Sequence, residues 1–279
     1  MSEITSLVRL LDDPDAEVQA SVRARLEELG RDALPDLREA REEADPDVRD
    51  QIDEVVHDLH LGDMKQAWHS VMSAEDVDLE RGAFLIALYR YPTLDIPAYR
   101  KTLDDVAEQA RSRVDDEEGA MQAVELARFL AEDLGFTGNR DQYYDPSNSY
   151  LNRVIDRRLG IPISLSVLYV LVGRRLGLPV AGVNLPAHFL AKYEGRDGEV
   201  FLDPFNDGEV ISKESCVRFL LKAGIRPLPF YFQAAEPQDV LLRMMRNLLA
   251  IAKESGQAQT VEELTALMAP YDPDIDADA

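Results

Sequence analysis

The spacing of apolar positions makes the chain helical over most of its length and strand-like over one short stretch. From 76 to 135 three amphipathic runs follow one another. Leu79, Phe84, Leu85 and Leu88 line the first, and Tyr91-Pro92 stops it. Ile96-Pro97 opens the second, with Tyr99, Leu103, Val106 and Ala107 inward. Met121, Val124, Leu126, Phe129 and Leu130 line the third, which halts at Gly135. Turn signals at Gly138-Asn139 and Asp145-Pro146 then break the pattern. Ser147 or Asn148 is placed to cap a helix carrying Leu151, Val154, Ile155 and Leu159, stopped by Gly160. Pro162 restarts a helix whose apolar face holds Leu165, Leu168, Tyr169, Val172 and Leu176, ended by Gly177. It contains no acidic residue, which predicts a core helix. Val180–Leu185, His188–Tyr193 and Glu199–Asp203 then read as strands. The predicted class is α+β and mostly helical, with a central helix packed on a small antiparallel sheet.

The two ends look repetitive. Asp13-Pro14-Asp15 recurs 32 positions later as Asp45-Pro46-Asp47. Each copy sets a capping Asp before a proline suited to the first helical position. Val18, Val22, Leu26 and Leu29 follow the first copy; Val48, Ile52, Val55, Val56 and Leu59 follow the second. Gly30 ends one helix and Leu34-Pro35 starts its short partner. Helix pairs at this period resemble HEAT-like repeats, and a plain helical extension is the alternative. Residues 240–274 resemble a tetratricopeptide-like helix pair. The expected organisation is repeats over 1–60, a connecting segment over 61–75, a central domain over 76–232, and a helix pair with an acidic tail over 233–279.

Composition narrows the function classes. The net charge is −23, from 30 Lys+Arg against 53 Asp+Glu. Such a chain repels nucleic-acid phosphate and anionic membrane surfaces. Arginine outnumbers lysine, and the acidity is spread along the whole chain. That spread favours adaptation to high internal salt over a dedicated basic partner, although either would produce it. The single cysteine, Cys216, excludes a disulfide framework and thiolate-rich zinc sites. His57 and His60 share a helical face and His69 follows, but no third ligand is fixed by spacing. Helix-end histidines facing solvent are expected there, and no metal or cofactor is implied. The N-terminus has no signal-peptide pattern and no apolar run reaches membrane length, so a cytoplasmic protein is expected.

The candidate chemistry lies between Gly160 and Asn206. A hairpin turn at Gly195-Arg196 would put His188 directly across the ladder from Asp203, whereas one at Asp197-Gly198 would set Asp203 against Lys192. The segments YYDPSNSYLNRVI, GIPISLSVLY, PAHF and DPFN together resemble the bacterial SirB-type transglutaminase-like family, also found inside a eukaryotic F-box protein. Where the family ordinarily has Pro-Gly-His-Phe, Ala187 replaces the glycine. The resemblance implies a papain/transglutaminase-like core with His188 as base and Asp203 as its orienting partner. It also places Pro162 where active members carry the nucleophilic cysteine. Proline has no nucleophile and no N–H. Ser164 points away from that position and Ser166 lies one turn deeper, with its hydroxyl expected on a backbone carbonyl. Cys216, in an apolar helix, reads as core.

Two functions follow. One is a degenerate, non-catalytic module that binds a protein partner, with the dyad vestigial and Tyr143, Tyr144, Asp145, Asn148 and Asn206 as a binding rim. The YYDPSN loop could equally be hydrogen-bonded to itself. The other is a hydrolase or acyl-transfer enzyme in which the His188–Asp203 dyad activates water or a substrate group. An open cleft over His188 with its second ring nitrogen available favours chemistry; a cleft plugged by Tyr143 or Phe205 favours the module.

Overall fold

The computed structural model describes residues 3–11, 13, 15–273 and 275. Two compact units divide the chain, Met1–Ser70 and Val71–Ala279.

In the first unit, α1 (Glu3–Val8), α2 (Ala16–Leu29), α3 (Leu34–Glu43) and most of α4 (Pro46–Met72) surround a core that includes Leu11, Leu26, Leu37 and Ile52. Asp15, rather than Asp13, caps α2, accepting from the Glu17 N–H at 2.9 Å. Asp13 accepts from Asp15 N–H, and Pro14 lies outside the described residues. In the second copy, α4 begins at Pro46 and the Asp45 carbonyl accepts from Arg49 N–H. Residues 61–72 simply continue α4, so His57 and His60 are mid-helix and partly exposed rather than at a helix end. Among the described residues no cluster of His, Cys, Asp and Glu suits a metal ion.

The second unit opens with α5 (Leu79–Arg90), α6 (Ile96–Asp115) and α7 (Ala120–Arg128), which runs into a π-helical turn over Phe129–Asp133. Asp78 and Asp95 cap the first two, accepting from Arg81 and Ala98 N–H. Met121, expected inward, is exposed. The next segment departs from expectation. The caps proposed at Ser147 or Asn148 are absent; Asp145 instead caps a 3-10 turn, Pro146–Asn148. Then α8 (Leu151–Arg157) closes at Arg158 in the left-handed region. The Gly160 stop is really a strand end: β1 (Thr137–Gly138) and β2 (Leu159–Gly160) pair in parallel.

The centre is α9 (Pro162–Arg175), buried at every residue from Pro162 to Gly173. Apolar residues all round a helix demand cover on all sides, and α9 packs against α6, α7, α8 and the sheet. That sheet is a four-stranded antiparallel meander of β3 (Val180–Val183), β4 (Leu190–Gly195), β5 (Gly198–Asp203) and β6 (Glu209–Ile211). Its register corrects both sequence alternatives. Gly195 pairs with Gly198 and Lys192 with Phe201, so the two-residue turn is Arg196-Asp197. The Tyr193 hydroxyl reaches Asp197 at 2.9 Å, and a β-carbon on Gly195 would lie 2.2 Å from that hydroxyl. The ring thus lies over Gly195, where only glycine fits, and Asp197 also accepts from Ala120 N–H. These contacts pin the turn.

Helices α10 (Lys213–Lys222), α11 (Pro237–Glu254) and α12 (Ala258–Met268) complete the unit, the last two packed on each other. Of the expected acidic tail, residues 274 and 276–279 lie outside the described ones. No helix among the described residues is long and apolar enough to cross a membrane.

Candidate functional site

His188 is not in a strand. It follows a turn in which its N–H donates to Leu185 O at 3.0 Å, with Pro186 and Ala187 at the corner. Ala187 has φ +60°, the region a type II turn requires at its third position and glycine fills most easily. Its methyl costs about 1–2 kcal/mol there, so other contacts must hold the turn. Arg243 on α11 supplies them. Its guanidinium donates to the Asn184 side chain, to Leu185 O at 3.1 Å and to His188 O at 3.0 Å. Its charge meets no carboxylate among the described residues, and burial pulls its pKa down.

Held this way, His188 Nε2 lies 2.7 Å from Asp203 Oδ2. The pairing is not across the ladder, since Asp203 pairs with Glu209 on β6 and β4 starts only at Leu190. His188 reaches the end of β5 from its loop. Asp203 precedes Pro204, which cannot extend a ladder, and it caps the 3-10 turn Pro204–Asn206. Its carboxylate accepts from Phe205 N–H, Asn206 N–H and Asn206 Nδ2 as well as from the imidazole. Burial alone would raise the Asp203 pKa, but the bonds from His188 and Asn206 outweigh it and keep the group ionised below the ordinary range. The contact orients the imidazole with Nε2 toward Asp203 and Nδ1 away from it.

A pocket of about 440 Å³ opens over this pair. Pro162, Tyr143, Phe205, Phe219 and Cys216 form its walls. Tyr143 and Phe205 line the pocket rather than fill it. Of the five rim residues, Tyr143 and Asn206 reach the pocket; Tyr144, Asp145 and Asn148 do not line it. Tyr144 is exposed and stacks edge-on against Tyr143. Asp145 accepts from Ser147 N–H and pairs with Arg157 at 2.9 Å. Asn148 is fully buried and donates to Gln142 O and Tyr143 O. The loop's own hydrogen bonds therefore place Tyr143.

Sequence reasoning missed two positioning residues besides Arg243. Arg140 donates to Phe205 O at 3.2 Å and Asn206 Oδ1 at 3.0 Å. Gly138, read only as a turn signal, is where β1 passes Phe205: a β-carbon there would lie 2.5 Å from the Phe205 carbonyl oxygen. The glycine before Asn139 was a visible signal, read only as a turn; neither arginine had one.

Neither α9 serine lines the pocket, although Ser215 does. Ser164 Oγ accepts from Ile161 N–H and donates to Asn148 O at 2.6 Å, tying the N-terminus of α9 to the loop. Ser166 Oγ is buried without a partner among the described residues, so its expected bond to a carbonyl is absent. Cys216 belongs to the core cluster of Leu190, Phe201 and Leu220, as expected, yet it also faces the pocket. Burial pushes its pKa up to about 11, so the thiol stays protonated at neutral pH. Starting from an ordinary value of 9.0, this leaves about 100-fold less thiolate than a free cysteine. Iodoacetamide should alkylate Cys216 about 100-fold more slowly than a small-molecule thiol at pH 7 to 8, as read by intact-mass spectrometry.

A partly buried His–Asp pair thus stands beside Pro162, at the first turn of a buried helix. Residues 97–246 match the profile of the Transglutaminase-like superfamily. The chain belongs to that superfamily. It is 38% identical over 200 residues to a UPF0162 protein of Xylella fastidiosa, covering 66% of this chain and 69% of the relative. A UPF0162 protein of Vibrio cholerae is 29% identical over 174 residues, covering 60% and 63%. F-box only protein 21 of Mus musculus is 36% identical over 143 residues, which make up 48% of this transglutaminase-like chain and 22% of the F-box protein. No solved structure matches the chain.

Proposed function

We propose that the chain is a cytoplasmic binding or regulatory module of the SirB type, built on a transglutaminase-like fold that has lost covalent catalysis. HEAT-like repeats at the N-terminus and a tetratricopeptide-like pair in α11 and α12 would flank it. One observation carries the reading: Pro162, at the first position of α9, forms the pocket wall where the nucleophile would stand. Neither a thiol nor a backbone N–H is available from that residue to attack or to steady an oxyanion. The F-box relative suits a module, since the matching stretch is 22% of that protein's length.

The open pocket over the His188–Asp203 pair supports a second reading, in which the dyad activates water to cleave an ester or amide. Activity-based acyl probes separate the two. The parent chain is expected to stay unlabelled and to hydrolyse p-nitrophenyl acetate no faster than its folded His188→Ala variant. Pro162→Cys should become labelled in a His188-dependent way. Hydrolysis by the parent that disappears in His188→Ala would overturn the module reading.

A further inference from the structure

We infer that the pocket over His188 receives a cationic side chain, an arginine or a lysine presented on the surface of a partner protein; this rests on the binding-module reading above. Four rings make a continuous series around the space. Tyr143 meets Phe205 edge-on at 5.8 Å, Phe205 meets His188 edge-on at 6.5 Å, and His188 faces Phe219 at 6.0 Å. Aromatic walls that surround a small cavity attract a cation through their quadrupoles and pack against its aliphatic stem.

The polar groups point the same way. Asp203 is committed to His188, Asn206 and two backbone amides, while the exposed Glu209 carboxylate has no side-chain partner among the described residues. His188 turns Nδ1 away from Asp203. No lysine or arginine lines the pocket. The nearby guanidinium groups are committed outside it: Arg140 to Phe205 O and Asn206, Arg243 to the His188 turn. Pro162 contributes no N–H to an acyl or carboxylate oxygen. A ligand that donates and carries positive charge fits what remains. At about 440 Å³ the space holds one side chain rather than a folded segment.

The test is an NMR titration of the whole chain, following the His188 ring and the Cys216 and Phe219 amides. The probes are the N-acetyl methylamides of arginine, lysine, norleucine and glutamine. The arginine and lysine probes should give saturable shifts, and the neutral pair should bind at least about tenfold more weakly. Glu209→Gln and Phe219→Ala, both at exposed positions, should each weaken the cationic probes about five- to tenfold. Raising salt from about 0.05 M to about 0.5 M should weaken them further. Glutamine or norleucine binding as tightly as lysine would overturn the cation assignment and leave the module standing. Absence of any shift up to saturating probe would also overturn it. Hydrolysis or cross-linking of a probe, seen by mass spectrometry, would instead overturn the module reading itself.

Discussion

Gly138→Ala is expected to destabilise the second unit by about 2 kcal/mol, within the range for overpacking a filled site, and to disorder the His188–Asp203 pair. The β-carbon would sit 2.5 Å from the Phe205 carbonyl oxygen and about as close to its ring. A flexible side chain could swing aside, but a carbonyl cannot. This one accepts from Arg140 and belongs to the turn whose first residue, Asp203, is tied by two backbone amides. Either β1 or the turn must move, and the carboxylate moves with the turn. Gly62→Ala is the control: nothing lies within 4 Å of its β-carbon, and it sits inside α4. It should gain up to about 1 kcal/mol from helix propensity. Urea unfolding of both variants decides the matter. An unchanged midpoint for Gly138→Ala would refute the close-approach argument.

Arg243→Met should cost about 2–3 kcal/mol and release the His188 turn, because the apolar stem is kept while the donors are lost. Leu185 O and His188 O would then have no partner from α11, beside a turn already strained at Ala187. The discriminating readout is the low-field Nε2 proton of His188, which should broaden or vanish even where the fold persists. Ala187→Gly relieves the left-handed strain, so adding it to Arg243→Met should restore about 1 kcal/mol. If the Nε2 proton is unperturbed in Arg243→Met, the arginine is only a packing residue.

The legible parts of this molecule were those written in local pattern. The all-apolar α9 and its proline start follow from neighbouring residues, whereas the His188–Asp203 pair forms by a route other than the ladder register expected for it. The register did not, because the turn at Arg196-Asp197 is fixed by the Tyr193 ring lying over Gly195 and by an amide 77 positions away at Ala120. The edge strand β6 was missed since three residues, Glu209–Ile211, carry too short an alternation to detect. The rim was half legible. Asn148 and Asp145 looked like ligand-binding polar groups, but their hydrogen bonds go to the loop that presents Tyr143. Arg243 was invisible because nothing local marks an arginine whose acceptors lie more than fifty positions upstream.

That separation also sets an order of events at the ribosome. His188 and Asp203 emerge well before α11, and the residue that holds the histidine turn is made 55 positions after it. At about 5–20 residues per second, translation leaves roughly 2–8 s after Asp203 is made in which the pair exists without its anchor. A chain cut short before Arg243 would carry both members of the dyad without the guanidinium that holds the His188 turn.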